Sequence, residues 1–563
     1  MTGAADAHAA SALLQAAERA AATQDWRVAA SRLSAALALE PANPIAFYGL
    51  GNVQARAGKS GAAIGNLLRL IAVVPSFDLG RADLGGLLGE AGRFEEARRQ
   101  LRCALVLDPS QAGTLHNYAH SLEPEGVIAR QSAYRRTFAA RLGDRDDSSY
   151  LQRFHYDPSY TREEIFRAHV DWGRRHRVLS PPRASLVRDP DKRRPLHVAY
   201  LSADFSRHPV GTLLSAAIAH HDRSQVQVTL CDTGTTVIDD VTAALKGMAD
   251  RWIDLRGVSD QPAVNLLRDA AIDICVDLSG HTPGNRLPVL ACRVAPIQAS
   301  WLGYWNTTGM PEMDYLLTCA EEVPPERDRF FTERVVRLPR GRFCYAIPAF
   351  APAVAPPPSD ASARVRFGCF VNRDLHAEQL TAFAEILQAL PEAELVLRSA
   401  RYADEAVRGR VLKELSGRGV LNVGERVAFH GRIPLSELLK AYAEIDVALD
   451  SFPFSGLMTN LEALTMGVPV VTLAGARIES RQTLAMLHRL GLPELVATTR
   501  ADYVGIAVAL ARDPARLRYL RDLLRPLVAD RLCRGDAFCR SLEEVYRGLW
   551  SEVCDRAADV PPP

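Results

Sequence analysis

Two histidines stand where a short apolar run gives way to a polar turn, the place in an α/β chain where side chains meet a ligand. His208 lies in the turn 202–209 after the run 197–201, and His281 follows the run 272–278. An imidazole titrates near neutrality, so it can take a proton from an attacking group or hold a ligand's oxygen. Either ring can equally be a turn histidine bonded to backbone. Asp277, inside the second run, reads as a carboxylate that orients a neighbour or as a buried strand-end acid bonded to backbone. Farther along, Gly456-Leu457-Met458-Thr459 precede a helix starting near Leu461, with Glu462 in its first turn. Backbone N–H groups at a helix start can hold an anion. Thr459 and Glu462 also fit an N-cap and its capping-box partner. Arg481, shortly after another apolar run, suits an anionic contact.

Such groups need sheets to hold them. Apolar runs at 197–201, 226–230, 272–278 and 315–318, with helical segments between some of them, form one set. The stretch 351–359 carries Pro352, Pro356, Pro357 and Pro358, and the pattern then restarts at 365–370, 394–398, 427–430, 447–449 and 468–473. Helices are expected at 382–390, 435–443 and 461–466. Alternating strands and helices predict parallel, doubly wound sheets. Two such halves joined by a Pro-rich hinge predict twin Rossmann-like domains facing a cleft, with ligands at the carboxyl ends of the strands. No GxGxxG opens either half, so a dinucleotide oxidoreductase is not supported.

Ahead of these halves the chain repeats. Pro41, Pro75 and Pro109 are 34 residues apart, as are Ala29, Ala63 and Ala97, and Leu33, Leu67 and Leu101. Ala57-Gly58-Lys59 returns as Ala91-Gly92-Arg93. A 34-residue unit with small residues at fixed places and a closing Pro is the tetratricopeptide signature. Each unit is a helix pair whose small residues permit close approach. About three units reach Leu122, and stacked units present a concave groove suited to a peptide or protein. The stretch 134–176, with Glu163-Glu164-Ile165-Phe166 and a helical 168–173, is expected to cap the array. The resulting domain plan is repeats over 1–122, a helical cap and linker over 123–190, and α/β halves over 191–350 and 351–563.

Composition excludes other classes. Lys+Arg 67 against Asp+Glu 66 leaves a net charge of +1 in 563 residues, with no bulk field for nucleic acid or an anionic membrane. No apolar stretch approaches the roughly 18 residues of a membrane span. The N-terminus has no basic start or compact apolar segment to direct secretion. Ten scattered cysteines with no CxxC argue against a zinc site and for a reducing cytoplasm. Lysine occurs only at Lys59, Lys192, Lys246, Lys413 and Lys440.

The segment Leu201-Ser202-Ala203-Asp204-Phe205-Ser206-Arg207-His208-Pro209-Val210-Gly211 resembles the start of the catalytic region of the SPINDLY/O-GlcNAc transferase family. Asp277-Leu278-Ser279-Gly280-His281-Thr282, Ala295-Pro296-Ile297-Gln298-Ala299-Ser300-Trp301-Leu302-Gly303-Tyr304 and Met313-Asp314-Tyr315 continue the likeness. Asp446-Val447-Ala448-Leu449-Asp450, Met466-Gly467-Val468-Pro469-Val470-Val471-Thr472-Leu473 and Ser480-Arg481 extend it into the second half. The resemblance implies an inverting, metal-independent GT-B glycosyltransferase that modifies Ser or Thr of a protein read by the repeat groove. It implies no cofactor, because the nucleotide-sugar is a co-substrate. By the same likeness His208 serves as base or orients the sugar, His281 touches acceptor or donor, and Trp301, Gly303 and Tyr304 wall the cleft. Gly456 and Thr459 would face phosphate, Glu462 the ribose, and the backbone of Arg432-Ile433 the nucleobase.

Three departures from the family pattern bear on the donor. The loop Val371-Asn372-Arg373-Asp374-Leu375-His376 is one residue shorter than the family's and lacks its Lys, leaving Asn372 and Arg373 to face the donor. Leu457-Met458 replace hydrogen-bonding residues, and Trp305-Asn306 replace the usual Pro-Gly. Each lost charge-assisted contact is worth about 1.5–3 kcal/mol. The expectation is therefore a donor with less phosphate, a CMP-linked nonulosonic acid, with flagellin as acceptor, as in flagellin-modifying transferases that resemble this family. A UDP-GlcNAc-type enzyme and a catalytically degenerate repeat scaffold are the alternatives.

Overall fold

The computed structural model describes residues 2–108, 114, 117–118, 121, 148, 150–156, 158, 160–234, 238–362, 364–373 and 375–558. The expected end of the array at Leu122, Pro109, the early part of the capping stretch and Asp374 lie outside the described residues.

The 34-residue period is built as antiparallel helix pairs. They are α1 (Thr2–Ala22) with α2 (Trp26–Leu39), α3 (Pro44–Arg56) with α4 (Ser60–Val73), and α5 (Asp78–Glu90) with α6 (Phe94–Leu107). Ala29, Ala63 and Ala97 are fully buried, and Leu33, Leu67 and Leu101 fill the layers between helices. Asn43 caps α3 by accepting from the Ala46 N–H at 2.9 Å, and Pro44 sits where a missing N–H costs nothing. The array docks at its third unit. Phe94 is buried against the second α/β half, with the Arg401 guanidinium 5.3 Å from its ring. Gly92, at φ +78°, comes so close to the loop after the strand Glu394–Arg398 that a Cβ would stand 2.3 Å from the Ala400 carbonyl oxygen.

Among the described residues the first sheet has seven parallel strands in the order β3-β2-β1-β4-β5-β6-β7. These are β1 (Leu196–Ser202), β2 (Val226–Asp232), β3 (Arg251–Asp254), β4 (Ile274–Asp277), β5 (Ile297–Trp301), β6 (Tyr315–Thr318) and β7 (Arg334–Arg337). The second has six, in the order β10-β9-β8-β11-β12-β13. They are β8 (Arg366–Cys369), β9 (Glu394–Arg398), β10 (Val427–His430), β11 (Val447–Leu449), β12 (Val470–Leu473) and β13 (Val496–Ala497). In each sheet the order reverses beside the first strand, β1 or β8, which creates a crevice at the carboxyl edge.

Two placements correct the sequence-based plan. The helix Arg162–Arg175, fixed at its start by the Thr161–Glu164 capping box, buries Ile165 and Trp172 in a core with Leu201, Cys275 and Leu290. It covers the first sheet, where the plan has it capping the repeats. Its Gly173 lies so close to Gly309 that a Cβ would meet the carbonyl oxygen at 2.0 Å. The last helix, Gly535–Ala558, falls within the 351–563 half of the sequence-based plan but packs on the first half. Cys539 Sγ lies 2.8 Å from the Ala217 carbonyl, Tyr546 and Tyr200 hydroxyls meet at 3.3 Å, and Trp550 Nε1 donates to Asp191 O at 3.1 Å. The chain thus crosses between halves twice, and the crossings touch where Tyr345 N donates to Leu532 O at 2.9 Å. Among the described residues no helix is long and apolar enough to cross a membrane.

Candidate active site

A cavity of about 520 Å³ opens between the two sheets. The first half supplies Asp204, His208, Thr282, Gly303 and Trp305, and the second supplies Asn372, Arg373, Phe454, Leu457, Met458, Thr459 and Gln482. Gln152 and Tyr156, ahead of the Arg162–Arg175 helix, close one side.

On the first wall, β1 ends at Ser202 and the chain turns into the helix Pro209–Ile218, whose N-cap is His208. Its Nδ1 accepts from the Val210 N–H at 3.4 Å and lies 3.6 Å from Asp204 Oδ2, while the ring stays 45% exposed at the cavity. Burial raises the Asp204 carboxyl above its ordinary range, and His208 opposes the rise. Asp204 and His208 thus set a carboxyl and an imidazole side by side at the cavity wall, within reach of a bound ligand. Gly303 is required because a Cβ there would stand 1.8 Å from Leu278 O.

On the second wall, the helix Met458–Thr465 points its start at the cavity. Its N-cap is Leu457, which makes no side-chain cap bond, so the reading of Thr459 as N-cap and Glu462 as its box partner is corrected: Thr459 is already inside the helix. A helix start without a side-chain cap retains N–H groups for an anion. Arg373 adds a cation. Its Nη1 donates to Phe454 O at 3.0 Å, and its guanidinium stands 4.2 Å from the Phe454 ring centre and 5.7 Å from that of Tyr156. Burial pulls its pKa below the usual arginine value. No carboxylate pairs with it among the described residues. Asn372 Oδ1 accepts from Ser399 Oγ at 2.9 Å. Behind this wall Asp450 accepts from Gly456 N and Thr472 Oγ1, each at 2.7 Å, and holds the 450–456 loop in shape.

Several expected site residues lie outside the lining of this cavity. His281 is fully buried, with Nε2 2.8 Å from Thr308 O and its ring edge-on to Trp172 at 4.7 Å. Burial pushes its pKa down to about 3, so it stays neutral. Gly280, at φ +49°, turns the chain so that Thr282 faces the cavity while His281 faces the Arg162–Arg175 helix. Asp277 accepts from Ser279 N at 3.2 Å and Gly280 N at 2.7 Å, and burial raises it to about 6; it shapes that turn. Trp301 is buried and donates Nε1–H to Arg342 O at 2.7 Å. The Tyr304 hydroxyl sits between His169 Nε2 at 2.6 Å and His155 Nε2 at 3.3 Å, away from the cavity lining. Arg481 donates to Glu321 O at 2.8 Å and ties the two halves together. Arg432 is exposed and Ile433 half-buried in the loop after β10, outside the lining. Gly456 and Glu462 are buried one layer behind it, Glu462 accepting from the Tyr442 hydroxyl at 3.2 Å, with burial raising its carboxyl to about 7.

Tyr156, Phe454 and Gln482 were not singled out from sequence. Tyr156 stacks on Phe454 at 4.9 Å, and Trp305 meets the same ring edge-on at 4.6 Å. All three departures from the family pattern, at Arg373, Leu457-Met458 and Trp305, therefore line this one cavity. Among the described residues no group of three or more His, Cys, Asp or Glu side chains converges to hold a metal ion.

Two parallel Rossmann-like sheets facing a cleft, with a histidine on one wall and an open helix start on the other, define the GT-B architecture of glycosyltransferases. Residues 181–346 and 358–532 match glycosyl transferase family 41, and the chain belongs to that family. It is 35% identical over 420 residues to the probable UDP-N-acetylglucosamine–peptide N-acetylglucosaminyltransferase SPINDLY of Solanum lycopersicum, covering 73% of this chain and 44% of that protein. The similarly named SEC of Arabidopsis thaliana is 25% identical over 373 residues, covering 64% and 37%. The chain thus aligns with less than half the length of these relatives. A mutant O-GlcNAc transferase from Thermobaculum terrenum superposes with a TM-score of 0.75 at 34% identity, covering 98% of this chain and 99% of that one.

Proposed function

We propose that this protein transfers a sugar from a nucleotide-activated donor to a Ser or Thr hydroxyl of a protein held by the repeat array. The observation that carries this reading is the pairing of walls across one cavity: His208 beside Asp204 on one side, Arg373 and the uncapped start of the Met458–Thr465 helix on the other. The acceptor oxygen loses its proton as it attacks the anomeric carbon from the face opposite the leaving phosphate. The C–O bond to the nucleotide breaks with inversion. His208, as base or as the group orienting the sugar, serves the first event. The helix N–H groups and Arg373 stabilise the leaving phosphate as its charge grows.

For the donor, the likeness to the SPINDLY and SEC relatives supports a UDP-N-acetylglucosamine class. One observation favours the second donor class, a CMP-linked nonulosonic acid delivered to flagellin: a single guanidinium and the apolar Leu457 and Met458 border the helix start. Thermal shift with UDP and with CMP separates the classes, since a nucleotide at a hundred times its Kd stabilises by about 2.7 kcal/mol. Mass spectrometry of acceptor incubated with each donor then reads transfer. Stabilisation by UDP and a mass gain from UDP-N-acetylglucosamine are expected, and His208→Ala should abolish the gain while leaving the UDP shift intact. Absence of both a nucleotide shift and a mass gain would refute the proposal and leave the degenerate scaffold.

A further inference from the structure

A second, small pocket lies where the Arg162–Arg175 helix meets both α/β halves, and it shares no lining residue with the inter-sheet cavity. Arg162, Arg327 and Arg477 present guanidiniums to it. Arg477 is neutralised by Glu479 at 2.9 Å. Arg162 rests over the Phe330 ring at 4.7 Å. Neither Arg162 nor Arg327 pairs with a carboxylate among the described residues, and Arg327 Nη1 is buried with no hydrogen-bond partner. Burial, with Arg481 and Arg162 close by, pushes the Arg327 guanidinium down to about 10. Arg162 and Arg327 repel each other, with only Glu326 nearby drawing on Arg327, so an anion joining them relieves that repulsion.

The same lining holds a buried acceptor. Glu322 is fully buried, its Oε2 taken by Arg342 Nε at 2.7 Å and Thr318 Oγ1 at 3.2 Å, while Oε1 has no partner. Glu322 and Arg327 form no ion pair with each other, so an unmatched donor and an unmatched acceptor border the pocket separately. An occupant that satisfies both must carry negative charge and also an O–H. Both neutral-pH forms of inorganic phosphate carry an O–H and a phosphate monoester carries one in its monoanion, whereas sulfate and chloride have no proton to donate.

We propose that this pocket binds a proton-bearing phosphate group, with Arg162 and Arg327 donating to its oxygens and Glu322 accepting from its hydroxyl. Because the three side chains come from the linker helix and the first half, and Arg477 and Ile478 close the pocket from the second, the bound phosphate fastens all three bodies together.

Calorimetric titration of the full-length protein with inorganic phosphate, O-phosphoserine and sulfate, at constant ionic strength, tests this. Phosphate is expected to bind about tenfold or more tightly than sulfate, and Arg327→Gln to weaken it about tenfold, as loss of one charge-assisted contact implies. O-phosphoserine binding as tightly identifies a monoester as the source; binding by inorganic phosphate alone identifies the free ion. Arg373→Gln should leave the affinity unchanged, and Arg162→Gln decides the matter if Arg327→Gln does not fold. Equal binding of sulfate, full affinity in both pocket variants, or loss in Arg373→Gln alone would overturn the assignment.

Discussion

Replacing Glu462 by Gln tests how deeply the second wall of the cavity is buried. The carboxyl is 7% exposed, and burial raises it from 4.5 to about 7 against a single lowering contact, the Tyr442 hydroxyl. Below pH 4.5 it is protonated folded and unfolded, and costs nothing. Between pH 4.5 and 7 the unfolded chain ionises first, so stability falls as pH rises, and above 7 the full cost is present. That rise is worth roughly 3 kcal/mol, most of which develops between pH 5 and 8. Gln keeps an acceptor for Tyr442 and does not ionise, so the variant gains on the wild type by that amount. Native-state amide exchange in the helix Met458–Thr465 and strands β11 and β12 reads it locally, without assuming that a multidomain chain unfolds in one step. The variant-to-wild-type protection ratio, which cancels intrinsic exchange rates, should grow nearly a hundredfold from pH 5 to 8. A ratio flat across that range would refute the reasoning, because it would mean the carboxylate is solvated or already compensated.

Two further outcomes follow from geometry. Gly58→Ala and Gly92→Ala impose the same left-handed strain, about 1–2 kcal/mol. Only Gly92 faces Ala400 O at 2.3 Å, while Gly58 has open space. The Gly92 variant should therefore also release the array from the second half, seen as a larger scattering radius and faster proteolysis in the 399–404 loop; equal behaviour of the two would disprove docking there. Trp301→Phe removes the bond to Arg342 O and should cost about 1–3 kcal/mol in urea unfolding. It should leave the donor KM within about twofold; a large change in KM would return Trp301 to the cleft wall.

What was legible in the sequence is what local pattern encodes. The spacing of Ala29, Ala63 and Ala97 gave the array because one layer geometry recurs, and all three side chains are buried. Apolar runs placed β1, β2, β6 and β9 to within two residues. The polar Arg251–Asp254 edge strand had no such run. His208 was found because a strand, a turn and a helix start are adjacent in the chain. His281 satisfied the same local rule, yet the positive φ at Gly280 sends its ring to the other side, which no spacing records. Tyr156 and Phe454 are 298 positions apart by number and stack only after three bodies assemble. The return of the last helix to the first sheet is likewise a long-range packing choice.

That return has a mechanical consequence. Joined by one strand of chain, two lobes could swivel freely about it. Here two strands of chain run side by side at the waist, bonded through Tyr345 and Leu532, and act as a narrow ribbon. With the Arg481–Glu321 bond and the last helix packed on the first sheet, this pairing fixes how the walls carrying His208 and Arg373 face each other. Cutting the last helix away would do more than bare the core around Tyr200 and Ala217; it would leave a single thread, and the jaws would lose their alignment.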